Sequence, residues 1–242
     1  VTAVIAAAGS GERLGAGGPK AFVPLAGRPM VEWSVAAFRT AGVTEIVVAM
    51  PPELASSDLP DAQQVGPGDG STVVVAGGAT RAESVSNAIR AVETEVVAIH
   101  DAARPLVTLE LIEGVVATLE TDPDAAGAIA ATPVTDTIKR AAEETRPAFP
   151  SNRTGNAGRV IESTLDRDEL WAAQTPQVFR VEALRTALAK HPDLDEATDE
   201  AMVIEAAGGR VLIHPSTAEN LKVTTALDLR LAELLLAGRS AQ

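Results

Sequence analysis

Short apolar runs recur along the chain, each followed by a longer amphipathic segment, and this alternation limits the possible folds most sharply. The runs are "VTAVIAAA", "EIVVAMPP", "STVVVAGG" and "EVVAIHDAARP". Between and after them lie "MVEWSVAAFRTAG", which Gly42 should close, "RAESVSNAIRAV" and "LELIEGVVATLE", with apolar residues at helical spacing. Strands apolar on both faces, separated by helices, predict a mostly parallel sheet covered on both sides. Ligands of such sheets bind beyond the carboxyl ends of the strands. The opening loop, "AGGATRAES" and "HDAARP" should therefore share one rim.

The rhythm breaks near Asp136. From there to about 168 the residues are polar, with Pro, Gly and Asn in the middle and β-prone ends. This predicts two strands of a projecting arm around a tip at about Arg146 to Gly158. The regular pattern returns in "VEALRTALAK", "TDEAMVIEAAGG", "RVLIHPST" and a terminal helix, "ALDLRLAELLLAG". The length of 242 residues suits a single domain, 1–242, that carries this arm.

Composition narrows the function. Acidic residues outnumber basic ones 33 to 20, a net charge of −13, whereas a general nucleic-acid binder should be basic. An anionic small substrate remains compatible, because a few aimed cations create a local positive site. With no cysteine there is no disulfide framework and no thiolate chemistry. The start "VTAVIAAAG" lacks the basic leader of a signal peptide, and no apolar stretch approaches the roughly 20 residues of a membrane span. The expectation is a soluble, cytoplasmic protein.

The first run opens into "AAAGSGERLGAGGPK", Ala6 to Lys20. Gly9, Gly11 and Gly15 miss the dinucleotide fingerprint, because the third glycine comes one residue late. Lys20 follows Pro19 and precedes Ala21, so the Gly-Lys-Ser/Thr ending of a P-loop is absent as well. What remains is a glycine loop with two fixed cations, Arg13 and Lys20. Its backbone N–H groups can approach phosphate oxygens, and the cations can neutralise charge at a reacting phosphorus. The alternative is a surface turn with two solvated cations. Asp101 and Arg104 of "HDAARP" follow a strand on the same rim, where a carboxylate can fix hydroxyls or stand near magnesium; a plain ion pair capping the strand is the other reading. His100, His191 and His214 lack ligand spacing and read as structural.

Six segments, "AAAGSGERLGAGGPK", "RAESV", "HDAARP", "DTIKR", "LDRDELWAAQTPQVF" and "ENLKVTT", together resemble the 2-C-methyl-D-erythritol 4-phosphate cytidylyltransferase family, in order and spacing. The resemblance runs from Val4 to the terminal helix. It implies a Rossmann-like nucleotidyltransferase fold and transfer of CMP from CTP to a polyol phosphate with release of pyrophosphate. It also implies magnesium, held mainly by the CTP phosphates, and a homodimer joined through the arms. Arg13 and Lys20 match the family's transition-state pair. Ala7, Ala8, Gly9, Gly11, Gly78, Ser84 and Ala102 fall at CTP-binding positions. Asp101, Arg104, Thr137 and Thr175 match positions that hold the polyol phosphate, as do Arg167 and Lys222, which count with the catalytic residues. No residue reads as a firm metal ligand; Asp101 is the candidate for touching that shell. Ala79 stands where relatives often carry an acid, which should leave only backbone contacts there. Ribitol 5-phosphate is an alternative substrate. A dinucleotide-dependent oxidoreductase, with Glu32 as ribose-binding acid, and a non-catalytic binding module are readings of other classes.

Overall fold

The computed structural model describes residues 1–9, 18–55, 71–142, 159–190 and 197–240. Gly11, Arg13, His191 and the arm tip at about 146–158 lie outside them.

The chain forms two units, one of 1–131 with 174–242 and one of 132–173. The larger unit is built on a seven-stranded sheet. Its strands are β1 (Thr2–Ala6), β4 (Glu45–Met50), β5 (Ser71–Ala76), β6 (Val96–Asp101), β7 (Gly127–Pro133), β10 (Trp171–Arg180) and β11 (Val211–Pro215), in the order β11-β7-β10-β6-β1-β4-β5. A small hairpin, β2 (Pro24–Leu25) and β3 (Arg28–Pro29), stands apart from it. β1, β4, β5 and β6 run parallel, as their doubly apolar sequences require.

Alternation along each strand divides the core. Ala3 and Ile5 of β1, with Ile46, Val48 and Met50 of β4, face α1 (Met30–Thr40) and α3 (Leu109–Glu120). Val4, Val47 and Ala49 face the opposite layer. That layer contains α2 (Arg81–Ile89), α4 (Val181–Lys190) and α5 (Glu200–Ala206). A third cluster joins α6 (Ala226–Ser240) to the β2–β3 hairpin and Leu106. Gly42, with φ of +76°, closes α1 in the left-handed conformation that side chains disfavour.

Two strands escaped the sequence reading. β7 is "GAIAATP", too poor in large residues to signal burial, and β10 carries Pro176 in its middle. Proline normally argues against a central strand. Yet β10 lies beside β6, antiparallel to it, pairing Gln177 with Ile99 and Phe179 with Val97. The sheet is thus mostly parallel with one reversed strand.

The unit 132–173 contains the two expected arm strands, β8 (Lys139–Ala141) and β9 (Ile161–Thr164), paired antiparallel. Arg167 sits in a short 3-10 helix and donates to the Thr135 carbonyl at 2.8 Å; Thr137 is exposed.

Candidate active site

After β1 the chain crosses to β4 and β5 on one side, then returns to form β6 on the other. The order therefore reverses at β1, and such a switch point opens a crevice at the carboxyl ends of the strands. Register sets the crevice walls: Ala6 pairs with Asp101 at the ends of β1 and β6. Ala7 N–H bonds Ala49 O, and Ala102 N–H bonds Ala6 O, so both loops leave the sheet side by side. Gly77 N–H reaches Met50 O and brings the third loop to the same rim. The described residues of all three expected segments share it.

A cavity of about 420 Å³ opens there. Its floor is Ala6 to Gly9, one wall is Gly78 to Arg81 with Ser84, and the other is Asp101 to Ala103; Lys20 and Lys222 stand over it. Small residues make this space. A Cβ on Gly77 would lie 2.5 Å from Ala8 Cβ, and one on Gly78 would lie 2.3 Å from Glu83 Cβ, so glycine is required at both.

The loop is braced from below. Ser84 Oγ accepts from Gly78 N–H at 3.0 Å and donates to Thr80 O at 2.8 Å. Thr80 and Glu83 form a capping box at the start of α2, and Glu83 Oε2 also accepts from Ala79 N–H. The Ala79 N–H, expected to be open to backbone contacts, is therefore committed to the helix cap.

Asp101 is the centre of the polar wall and only 7% exposed. Arg81 Nε donates to Oδ1 at 2.8 Å, and Lys222 Nζ lies 2.6 Å from Oδ2. Burial alone would raise its pKa; the charges of Arg81 and Lys222 overcome that and hold the carboxyl well below the usual range. Both oxygens thus carry a cation. Among the described residues no three or more His, Asp or Glu gather as a metal site.

Behind the wall, Thr175 Oγ1 accepts from Asp101 N–H at 3.1 Å, and its own proton goes to His100 Nδ1 at 2.9 Å, since the ring's other nitrogen faces a carbonyl, which only accepts. His100 Nε2 then carries the other proton and donates to Arg104 O at 3.1 Å. Full burial pushes His100 down to about 4, in keeping with this neutral tautomer. Thr175, expected at the substrate, has its hydroxyl committed inside the protein, because β10 points it toward β6. Arg104 Nη1 donates to Asn220 O at 2.7 Å, and Asn220 Nδ2 donates to Gln174 Oε1 and Thr175 O, each at 2.8 Å. With Val223 N–H on Ala103 O, these bonds fix the strand of chain that carries Lys222.

Lys20, Asp101 and Lys222 come together as expected, with Ala7, Ala8, Gly9, Gly78, Ser84 and Ala102 around them. Thr137 and Arg167 belong to the other unit. Glu32 is paired with Arg28 at 2.9 Å in the first turn of α1, not placed as a ribose acceptor. His214 bonds Thr118 Oγ1. The sequence reading passed over Arg81 and Glu200, which meet at 2.7 Å. Both carried a signal. A cation in the first turn opposes the helix dipole and needs an acid. Glu200 shares the apolar face of α5 with Val203 and Ile204, where a lone carboxylate requires a buried partner.

A family model described as "2-C-methyl-D-erythritol 4-phosphate cytidylyltransferase" matches residues 1–238. The chain belongs to this cytidylyltransferase family. A cytidylyltransferase of the same description from Cereibacter sphaeroides is 42% identical over 240 residues, covering 97% of this chain and 96% of the relative. One from Frankia casuarinae is 43% identical over 241 residues, covering 98% of this chain and 81% of the relative. The crystal structure of the cytidylyltransferase from Thermus thermophilus aligns with a TM-score of 0.74 at 31% identity, covering 98% of both chains. Membership in a cytidylyltransferase family sets aside the oxidoreductase and non-catalytic readings. Among the described residues no helix is long and apolar enough to cross a membrane.

Proposed function

We propose that this chain transfers CMP from CTP to 2-C-methyl-D-erythritol 4-phosphate, forming 4-diphosphocytidyl-2-C-methyl-D-erythritol and pyrophosphate for isoprenoid precursors. The observation that carries the reading is the switch-point cavity, whose floor is small residues and whose charged groups are Lys20, Lys222, Arg81 and one ionised carboxylate, Asp101. The nucleophile is a phosphate oxygen of the polyol substrate. It bonds to the α-phosphorus of CTP while the bond from that phosphorus to the bridging oxygen of the β-phosphate breaks. Pyrophosphate departs with the electron pair, so neither an enzyme nucleophile nor a strong base is needed. The difficulty is bringing two anions together, which positioning and fixed cations overcome.

Lys20 neutralises the phosphates together with Arg13, whose assignment rests on its matching motif. Ala7, Ala8, Gly9, Gly11, Gly78, Ser84 and Ala102 shape the CTP pocket, with Ser84 acting through the loop it braces. Asp101 takes hydroxyls of the polyol, Lys222 its phosphate, and Arg104 and Thr175 hold Asp101 and Lys222 in place. Magnesium enters with the triphosphate, and no step above is routed through it.

We assign 1–242 to one nucleotidyltransferase domain with a dimerisation arm at about 136–168. Val160 and Ile161 are 52% and 61% exposed on this arm, an apolar patch suited to a second copy. Thr137 and Arg167 would then serve the neighbour's site, with Arg167 on the attacking phosphate. We assign it a cytoplasmic setting, which is compatible with the use of CTP. Steady-state pyrophosphate release with methylerythritol phosphate against ribitol 5-phosphate tests the substrate. A kcat/KM at least about tenfold higher for the former supports the reading, since tenfold is about 1.4 kcal/mol of discrimination. Equal or reversed values would favour the alternative.

A further inference from the structure

Glu200 does not border the cavity, yet it begins a chain of charges that ends there. It is 3% exposed, and its two oxygens accept from Arg81 Nη1 at 2.7 and 2.9 Å. Arg81 continues through Nε to Asp101 at 2.8 Å, and Asp101 to Lys222 at 2.6 Å. Four segments are thereby linked: α5, α2, the end of β6 and the strand of chain before α6. A strut between α5 and α2 would need only the Glu200–Arg81 contact. The second contact, on the cavity wall, has no use in such a strut.

Arg81 has a specific need for restraint. It stands half-buried at the rim of a pocket suited to polyanions, and an unrestrained guanidinium would turn onto phosphate. Asp101 would lose one of its two cations, and Lys222 would be drawn fully onto the carboxylate. We infer that Glu200 is a positioning residue for the polyol-phosphate half of the reaction, clamping Arg81 so that Arg81 fixes Asp101 and, through it, Lys222. This rests on the reading in which Asp101 and Lys222 hold that substrate.

The test compares Glu200→Gln, the double variant Arg81→Met with Glu200→Met, and Asp101→Asn, each assayed well below its melting temperature. Apolar residues of similar volume can replace a buried ion pair without unfolding, so the double variant separates folding from positioning. Misplacement of reacting groups by a fraction of the site costs up to about 100-fold. The expected loss in kcat/KM for methylerythritol phosphate is therefore about 30- to 100-fold in the first two, with KM for CTP within about threefold of wild type. A folded double variant that keeps its kcat/KM for the polyol phosphate overturns the inference, as does a rise in KM for CTP as large as that for the polyol phosphate. Should the double variant fail to fold, Glu200→Gln decides by the same two criteria. An unaffected Asp101→Asn would instead overturn the underlying role of Asp101, whatever Glu200 does.

Discussion

At the scale of the residue, Lys20 and His100 show two uses of charge. Lys20 is half-buried beside the cavity and its backbone N–H is tied to Gly9 O at 3.1 Å, which sets its stem at the loop mouth. Lys20→Ala should lower kcat about 10²- to 10³-fold through lost electrostatic stabilisation of about 3–4 kcal/mol. Its melting temperature should stay close to wild type; calorimetry and initial rates measured together check both. His100 acts by staying neutral. Its folded pKa of about 4 lies below its ordinary 6.5, so between these values the unfolded chain binds a proton that the folded one refuses. Stability from this group is complete above about pH 6.5 and is lost as pH falls toward 4, by roughly 3 kcal/mol. His214, also lowered by burial, adds to the same trend, and Glu200, raised by burial above its ordinary 4.5, opposes it within that range. The difference between wild type and His100→Gln isolates the group. Denaturant midpoints should fall more steeply for wild type between pH 6.5 and 4; parallel profiles would refute the buried neutral imidazole.

At the scale of the element, the Gly77–Gly78 turn between β5 and α2 decides how deep the cavity is. In Gly77→Ala the new Cβ meets Ala8, Ser84 Oγ and the Met50 carbonyl, and two of these three contacts are under 3.0 Å. We expect a loss of about 1–3 kcal/mol from overpacking and a raised KM for CTP, because the strain falls on the floor of the pocket. Gly238→Ala is the contrast, since nothing lies within 4 Å of a Cβ there in α6. It should stabilise by about 0.5–1 kcal/mol, as helical alanine replaces glycine. Thermal melts of both check the pair. The elements were legible to different degrees. β1, β4 and β6 announced themselves because burial on both faces demands unbroken apolar runs, and β5, an edge strand only partly buried, carries a similar run. β10 did not: Pro176 breaks the local rule, and only the sheet around it makes it a strand. Lys20 and Asp101 were readable beside a glycine loop and at a strand end, whereas Lys222 came only from the resemblance of its segment to the family. Arg81 and Glu200 each carried a local hint of needing a partner, but nothing local names the partner, which lies 119 positions away.

At the scale of the whole molecule, each active site should draw on two chains, with Arg13 and Lys20 from one and Arg167 from the other. Co-expressing an Arg13→Ala chain with an Arg167→Ala chain tests the sharing. A mixed dimer would hold one doubly damaged site and one intact site, so activity should return to roughly a quarter of wild type if mixing is random. Sites built within one chain would each keep a lesion, and mixing would restore nothing. More central still is the claim that this cavity joins CTP to the polyol phosphate. Phosphorus NMR of the protein with CTP and methylerythritol phosphate measures it directly. Two mutually coupled signals of a new diphosphate diester should appear in step with pyrophosphate, and Lys20→Ala should suppress them. Appearance of free CMP without the coupled pair, or equal turnover with ATP, would contradict the claim.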